Sequence, residues 1–222
     1  MNSTDAITAS ISSTSSTTSS ASSSNSSSTE PAQLSPTAEV LLAEHNKCRQ
    51  PLDLPPMSWD AALAVFAEEH VKGLESMAHS SSCQRCSVPG YQGLYVGENL
   101  AFGSSSNWNA SQQEDLEEML RQGVANWCSE KQWYQSEENS CTAPPGASCG
   151  HYSQVVWRES QRVGCGVKLM SEGSSYILAC AYHAPGNVNG LHPWNRTGES
   201  PTTGFCGGCE LVELVNDIIS HF

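Results

Sequence analysis

The stretch Cys149-Gly150-His151-Tyr152-Ser153-Gln154-Val155-Val156-Trp157 puts an imidazole at the mouth of a short aromatic and β-branched run, a place where a histidine can ligate a metal or move a proton. These residue types predict a buried strand entered sharply at Gly150. A repeat of two then sets His151, Ser153, Val155 and Trp157 on one face. His79, followed by Ser80, comes just past a helical pattern, where its side chain can turn into a cleft. Glu98 lies within Tyr95-Val96-Gly97-Glu98-Asn99-Leu100-Ala101, flanked by apolar residues, and a carboxylate in such surroundings needs a partner. Glu130 follows Trp127 by three residues and precedes Tyr134 by four, so the three share a helix face. Taken singly, each has a plainer reading: a histidine hydrogen-bonded at a strand end, a solvated loop histidine, an exposed glutamate. A nucleophile is harder to find. Ser153 shares the predicted face with His151, but no acid is identified to orient the pair, and the chain has no H-E-x-x-H.

The elements that must position these groups are stapled ones. The 222 residues include ten cysteines, Cys48, Cys83, Cys86, Cys128, Cys141, Cys149, Cys165, Cys180, Cys206 and Cys209, scattered instead of gathered into zinc-knuckle spacings. This predicts disulfides and an oxidising, extracellular compartment. Cys83-x-x-Cys86 and Cys206-x-x-Cys209 are expected in structural bridges, since no βαβ context supports redox chemistry. A formal charge of −13 opposes nucleic acid and anionic membranes as partners. No apolar run is long enough to span a bilayer, and Met1 is not followed by a signal sequence; a secreted form would have its signal peptide missing from this numbering.

Residues 1–34 read as a disordered Ser/Thr-rich stalk. A helix capped by Ser35, with Pro36 at its first position, runs to about Cys48. A second starts at Ser58-Trp59-Asp60 and carries Leu63, Phe66, His70, Leu74 and Met77 on one side, which makes His70 a core or boundary residue. Ser111 and Glu114 are spaced as a capping box for a third helix with Leu116, Leu120, Val124 and Trp127 inward. Val163 to Tyr182 reads as a hairpin turning near Ser171-Glu172-Gly173-Ser174, with Cys165 and Cys180 equidistant from the turn. Cys141 and Cys149 enclose a Pro-Pro-Gly loop and can pair locally. Residues 196–222 form a cysteine-containing extension in which Leu211, Leu214, Val215, Ile218, Ile219 and Phe222 predict an amphipathic helix; its acidic polar face disfavours membrane docking. Asn2, Asn25, Asn109 and Asn195 head N-glycosylation acceptor patterns.

His45-Asn46-Lys47-Cys48-Arg49, Gly97-Glu98-Asn99-Leu100, Trp127-x-x-Glu130-x-x-x-Tyr134, Cys149-Gly150-His151-Tyr152 and Cys180-x-Tyr182-x-x-x-Gly186-Asn187 follow one another in the order and spacing of the CAP superfamily. This superfamily comprises cysteine-rich secretory proteins, antigen five and pathogenesis-related class one proteins. Residues 35–195 resemble its domain, and the class one branch most. The resemblance implies a disulfide-stapled α/β fold, a three-layer α/β/α sandwich around a small antiparallel sheet, and with the hairpin geometry a Cys165–Cys180 bond. It also implies a cleft formed by His79, Glu98, Glu130 and His151. Two imidazoles can hold Zn²⁺ or another divalent cation while the carboxylates orient the rings or balance their charge. The function implied is binding of a sterol or other small lipid, with Trp133 and Tyr134 as candidate contacts, in host–microbe interaction or defence. Three alternatives stay open: a metal-assisted hydrolase, a precursor releasing a signalling peptide from Ala184 to Trp194, and a module that recognises a receptor or other protein.

Overall fold

The computed structural model describes residues 33–109, 112–170, 173–194 and 206. Residues 1–32 of the expected stalk, the amphipathic C-terminal helix and Asn195 lie outside them. Ser35 caps α1 (Pro36–Arg49) by accepting from the Ala38 N–H at 3.2 Å, with Pro36 in the first turn. β1 (Ser58–Trp59) precedes α2 (Ala61–Lys72). Next come α3 (Ser82–Cys86), β2 (Gly97–Ser104) and α4 (Gln113–Ser129). β3 (Tyr134–Gln135) and β4 (Ser140–Cys141) form a small ribbon ahead of α5 (Gly150–Val155), β5 (Arg162–Met170) and β6 (Ser175–His183).

The main sheet has the order β1-β5-β6-β2. Residues of β6 alternate between two cores. Tyr176, Leu178, Cys180 and Tyr182 join Leu41 of α1, Leu120, Val124 and Trp127 of α4 and Tyr152 of α5 on one face. On the other, Ile177, Ala179 and Ala181 join Leu63, Ala67 and Val71 of α2. The alternation makes three layers, helices on both sides of one sheet. The α2 layer sits very close because β5 offers glycines there: a Cβ on Gly164 would lie 2.1 Å from the Ala64 nitrogen, and one on Gly166 2.3 Å from the Glu68 Cα.

Four disulfides join described residues: Cys48–Cys128, between α1 and α4, Cys86–Cys206, Cys141–Cys149 and Cys165–Cys180. The last pair is directly opposed in the β5–β6 register, as the hairpin reading requires. Cys83 is also disulfide-bonded.

The structure corrects several expectations. The sheet is antiparallel except that β1, expected to begin a helix, pairs in parallel with β5. α2 instead starts after Asp60, whose carboxylate accepts from the Ala62 and Leu63 N–H groups. It ends at Lys72, so Met77 is not on its stripe and is exposed. α4 starts at Gln113, and Ser111 of the expected capping box lies outside the described residues.

The largest correction concerns 150–155, which is a helix and not a strand. A six-residue helix is unfavourable alone, and Cys149 supplies no side-chain cap. Both ends are instead capped from elsewhere. Glu130 accepts from the His151 and Tyr152 N–H groups at 3.1 Å each. At the other end, the fully buried Arg49 donates from Nη1 to the carbonyls of Val155 at 2.8 Å and Trp157 at 2.7 Å. These contacts satisfy orphan groups at both helix ends. Burial lowers the Arg49 pKa to about 10, which leaves it charged at neutral pH.

Candidate functional site

Glu98 occupies the strand at one end of the sheet order, on the α2 face shared with Leu100. Its side chain is nearly inaccessible, with an exposure of 1%. Oε1 accepts from His79 Nδ1 at 2.6 Å and from the Ser80 N–H at 3.0 Å, while Oε2 accepts from the Ser80 hydroxyl at 2.6 Å. Nothing in the sequence pattern points to a third imidazole here, but His70, at the end of α2, places Nε2 3.8 Å from Glu98 Oε2 and on the Ala78 carbonyl at 2.9 Å. It thereby ties α2 to the loop that carries His79.

Glu130 forms the second pair. It follows α4 directly, and its Oε1 accepts from His151 Nδ1 at 2.6 Å while Oε2 caps α5. The His151 ring stacks on Trp127, with centroids 6.0 Å apart and planes inclined by 19°. Trp127 is fixed in turn by donating to the Leu100 carbonyl at 3.1 Å. Trp127, Glu130 and His151 therefore form one unit, although Glu130 and Tyr134 do not share a helix face, because the helix gives way to a 3-10 turn at Glu130–Gln132 and then to β3.

The structure thus joins the four candidate residues as two His–Glu pairs, His79 with Glu98 and His151 with Glu130. In each pair the carboxylate can only accept, which assigns the proton to Nδ1 and leaves Nε2 as the free lone pair of a neutral ring. Histidine metal ligands are commonly oriented in this way. Each pair thus presents an imidazole nitrogen of the kind that borderline divalent cations take. Among the described residues, the one group of three possible ligands within 4.8 Å of each other is His45, Cys165 and Cys180. That group is no metal site, because its sulfurs are joined in a disulfide and offer no thiolate.

Ser153 is not a nucleophile poised on His151. The helix turns it away, and its hydroxyl lies within hydrogen-bond reach of the Cys149 and Gly150 carbonyls and of Asn187 Oδ1. Trp133 is half-buried. Tyr134 gives its hydroxyl to Asn139 at 2.5 Å and packs its ring edge-on to Tyr152 and Trp194, and burial pushes its pKa up to about 12. A cavity of about 610 Å³ opens between α1 and α4, walled by Cys48, Pro51, Ala125 and Cys128, with Glu44, Lys47 and Lys131 also lining it. Sequence pattern gives no sign of it, since its walls come from surfaces far apart in the chain. Residues 184–194 are tied down: the Gly186 N–H donates to Gln154 Oε1, Arg158 N–H to the Pro193 carbonyl, and Asn139 Nδ2 to the Leu191 carbonyl.

The model of the cysteine-rich secretory protein family, CAP, matches residues 42–182. The chain belongs to the CAP family. All four candidate residues and both partners of the Cys165–Cys180 bond fall within the matched span. Pathogenesis-related protein 1B of Nicotiana tabacum is 35% identical over 153 residues, 69% of this chain and 78% of the relative. The basic form of pathogenesis-related protein 1 from the same plant is 35% identical over 173 residues, 77% and 81% of the two chains. Among solved structures, Schistosoma mansoni venom allergen-like protein 4 has a TM-score of 0.56 at 21% identity, covering 73% of this chain and 96% of that one. The crystal structure of NaASP2 with Zn²⁺ has a TM-score of 0.52 at 20% identity, covering 72% and 86%. These likenesses establish the disulfide-stapled α/β CAP fold.

Proposed function

We propose that this CAP protein is an extracellular binding module, of the pathogenesis-related class one type, that holds a divalent cation between His79 and His151 and a small lipid in the cavity between α1 and α4. The observation that carries the cation reading is the pairing of each Nδ1 with a carboxylate at 2.6 Å, Glu98 for one ring and Glu130 for the other. The zinc in NaASP2, a protein of the same fold, supports it. Disulfides throughout the domain support the extracellular assignment, and the resemblance to pathogenesis-related proteins supports a place in defence. Among the described residues, no helix is long and apolar enough to cross a membrane.

For the lipid, the volume of about 610 Å³ lies in the range of about 300–1,000 Å³ usual for small-ligand pockets. Its walls suit an apolar body, and at its rim Lys131 and the Lys47–Glu44 ion pair suit a polar head. Trp133 follows Gln132 of the cavity lining and is the rim contact, whereas Tyr134 is already committed to packing. The metal-assisted hydrolase is the weaker reading, since Ser153 Oγ is engaged with the Cys149 and Gly150 carbonyls and Asn187.

The test is a zinc titration by calorimetry beside a titration with labelled sterol and fatty acid, each with and without chelator. The double variant His79→Ala/His151→Ala should lose tight zinc binding and keep its fold. Affinity should also fall on acidification, because a protonated ring cannot ligate. Ala125→Trp, which fills the cavity, should abolish saturable lipid binding and leave zinc unaffected. Unchanged zinc affinity in the double variant would refute the cation reading. Absence of saturable binding of any sterol or fatty acid to the unmodified protein would refute the lipid reading.

A further inference from the structure

The two His–Glu pairs are built on different layers. Glu98 faces the α2 side of the sheet, while Glu130 and His151 belong to the α4 and α5 layer on the other side. A cation shared between two such pairs needs something to fix their separation. Asn99 is the residue placed to do so. It follows Glu98 on β2, so strand alternation turns its side chain through to the opposite face, where it is 1% exposed. Its Nδ2 has two protons and two acceptors: the main-chain carbonyl of His151 at 3.1 Å and the Tyr182 hydroxyl at 3.2 Å.

The Tyr182 hydroxyl is itself oriented from behind. His45 is fully buried, with Nδ1 on the Leu41 carbonyl at 2.7 Å and Nε2 on the Tyr182 oxygen at 2.8 Å. A carbonyl can only accept, so Nδ1 carries the proton and the Nε2 of the neutral ring accepts from Tyr182 O–H. Burial lowers the His45 pKa to about 4, which keeps the ring neutral. The hydroxyl proton thus points to His45, and its oxygen lone pairs are left for Asn99. Asn99 thus donates to the His151 carbonyl on one side and, on the other, starts a directed chain of hydrogen bonds through Tyr182 and His45 to α1. Close packing reinforces it: a Cβ on Gly97 would lie 2.2 Å from Gln154 Oε1, so α5 sits directly on the start of β2.

We propose that Asn99, backed by Tyr182 and His45, is the positioning residue that couples the two imidazole–carboxylate pairs across the sheet, so that the pairs move as one unit. The inference rests on the cation reading for its consequence but not for its mechanism, and the two can be tested apart. The metal readout is zinc affinity of the full chain. Loss of a partner outside the ligand shell characteristically lowers metal affinity by about 10–100-fold, and Asn99→Ala should fall in that range. Tyr182→Phe keeps the Asn99 contact with His151 and should lose less.

The metal-free readout is the ring ¹⁵N–¹H correlations of the histidines by NMR. In the unmodified background, Glu130→Gln should shift the rings of both His151 and His79. In an Asn99→Ala background it should shift His151 alone. If Asn99→Ala does not fold, Tyr182→Phe takes its place and should weaken the transmitted shift. A folded Asn99→Ala protein with unchanged zinc affinity, or an unmodified protein in which Glu130→Gln leaves His79 unmoved, would overturn the coupling. Failure of the unmodified protein to bind zinc while the shift is transmitted would overturn the cation reading and support the coupling.

Discussion

Replacing Glu130 by Ala tests how the site is held together. The carboxylate, in a residue with 9% exposure, accepts from two main-chain N–H groups at 3.1 Å and from the His151 ring at 2.6 Å. Alanine leaves both N–H groups of the first turn of α5 without an acceptor. Each orphaned buried donor costs roughly 1–3 kcal/mol, while a new cavity around the truncated side chain admits water and offsets part of this. We expect a loss of about 2–4 kcal/mol, which at about 2–4 °C per kcal/mol for a domain of this size lowers Tm by roughly 4–16 °C. Glu130→Gln keeps one carbonyl oxygen but turns an amide donor toward a donor, and should cost about half as much. The assay is urea and thermal unfolding followed by circular dichroism, with chelator present so that metal does not contribute. If Glu130→Ala unfolds at the same midpoint as the unmodified protein, α5 is not held by capping from Glu130 and the account of its formation is wrong.

Three further outcomes follow from the same structure. The His45 pKa is lowered from 6.5 to about 4 by burial, so between these values the unfolded chain binds more protons than the folded one and stability rises with pH. The contribution, on the order of 3 kcal/mol, should be fully present above about pH 6.5 and lost as pH falls toward about 4; His45→Gln should flatten that slope in unfolding titrations, and an unchanged slope would contradict the buried neutral ring. Gly166→Ala places a methyl 2.3 Å from the α2 backbone at Glu68, which only a shift of the helix can relieve, and should cost about 1–3 kcal/mol in denaturant unfolding. Selective opening of the Cys165–Cys180 bond should cost roughly 2–5 kcal/mol, and mass spectrometry of unreduced peptides should recover those two cysteines in one linked pair.

Local chemistry determined much of this protein. Ser35 followed by Pro36 announces α1, because both satisfy a helix start within a few residues. The β-rich segments around residues 171–174 announce the β5–β6 hairpin, and equal distances from the turn put Cys165 opposite Cys180. The ordered motifs were sufficient to indicate the CAP fold and to single out His79, Glu98, Glu130 and His151. What the sequence could not show is which side chain serves which. The run from Gly150 to Val155 carries the residue types of a strand, and it is helical because Glu130 and Arg49, distant in the chain, cap its two ends. Ser58 and Trp59 pair with β5 for a similar reason, since the strand that receives them lies a hundred residues on. His70 looks like one more residue on a helix stripe until the fold sets it beside Glu98. Asn99 reads as a polar interruption in an apolar segment, although strand alternation and a buried tyrosine make it the link between layers. Hydrogen bonds between neighbours in the chain are legible from type and spacing, whereas those that close across layers exist only once burial has removed water as the competing partner.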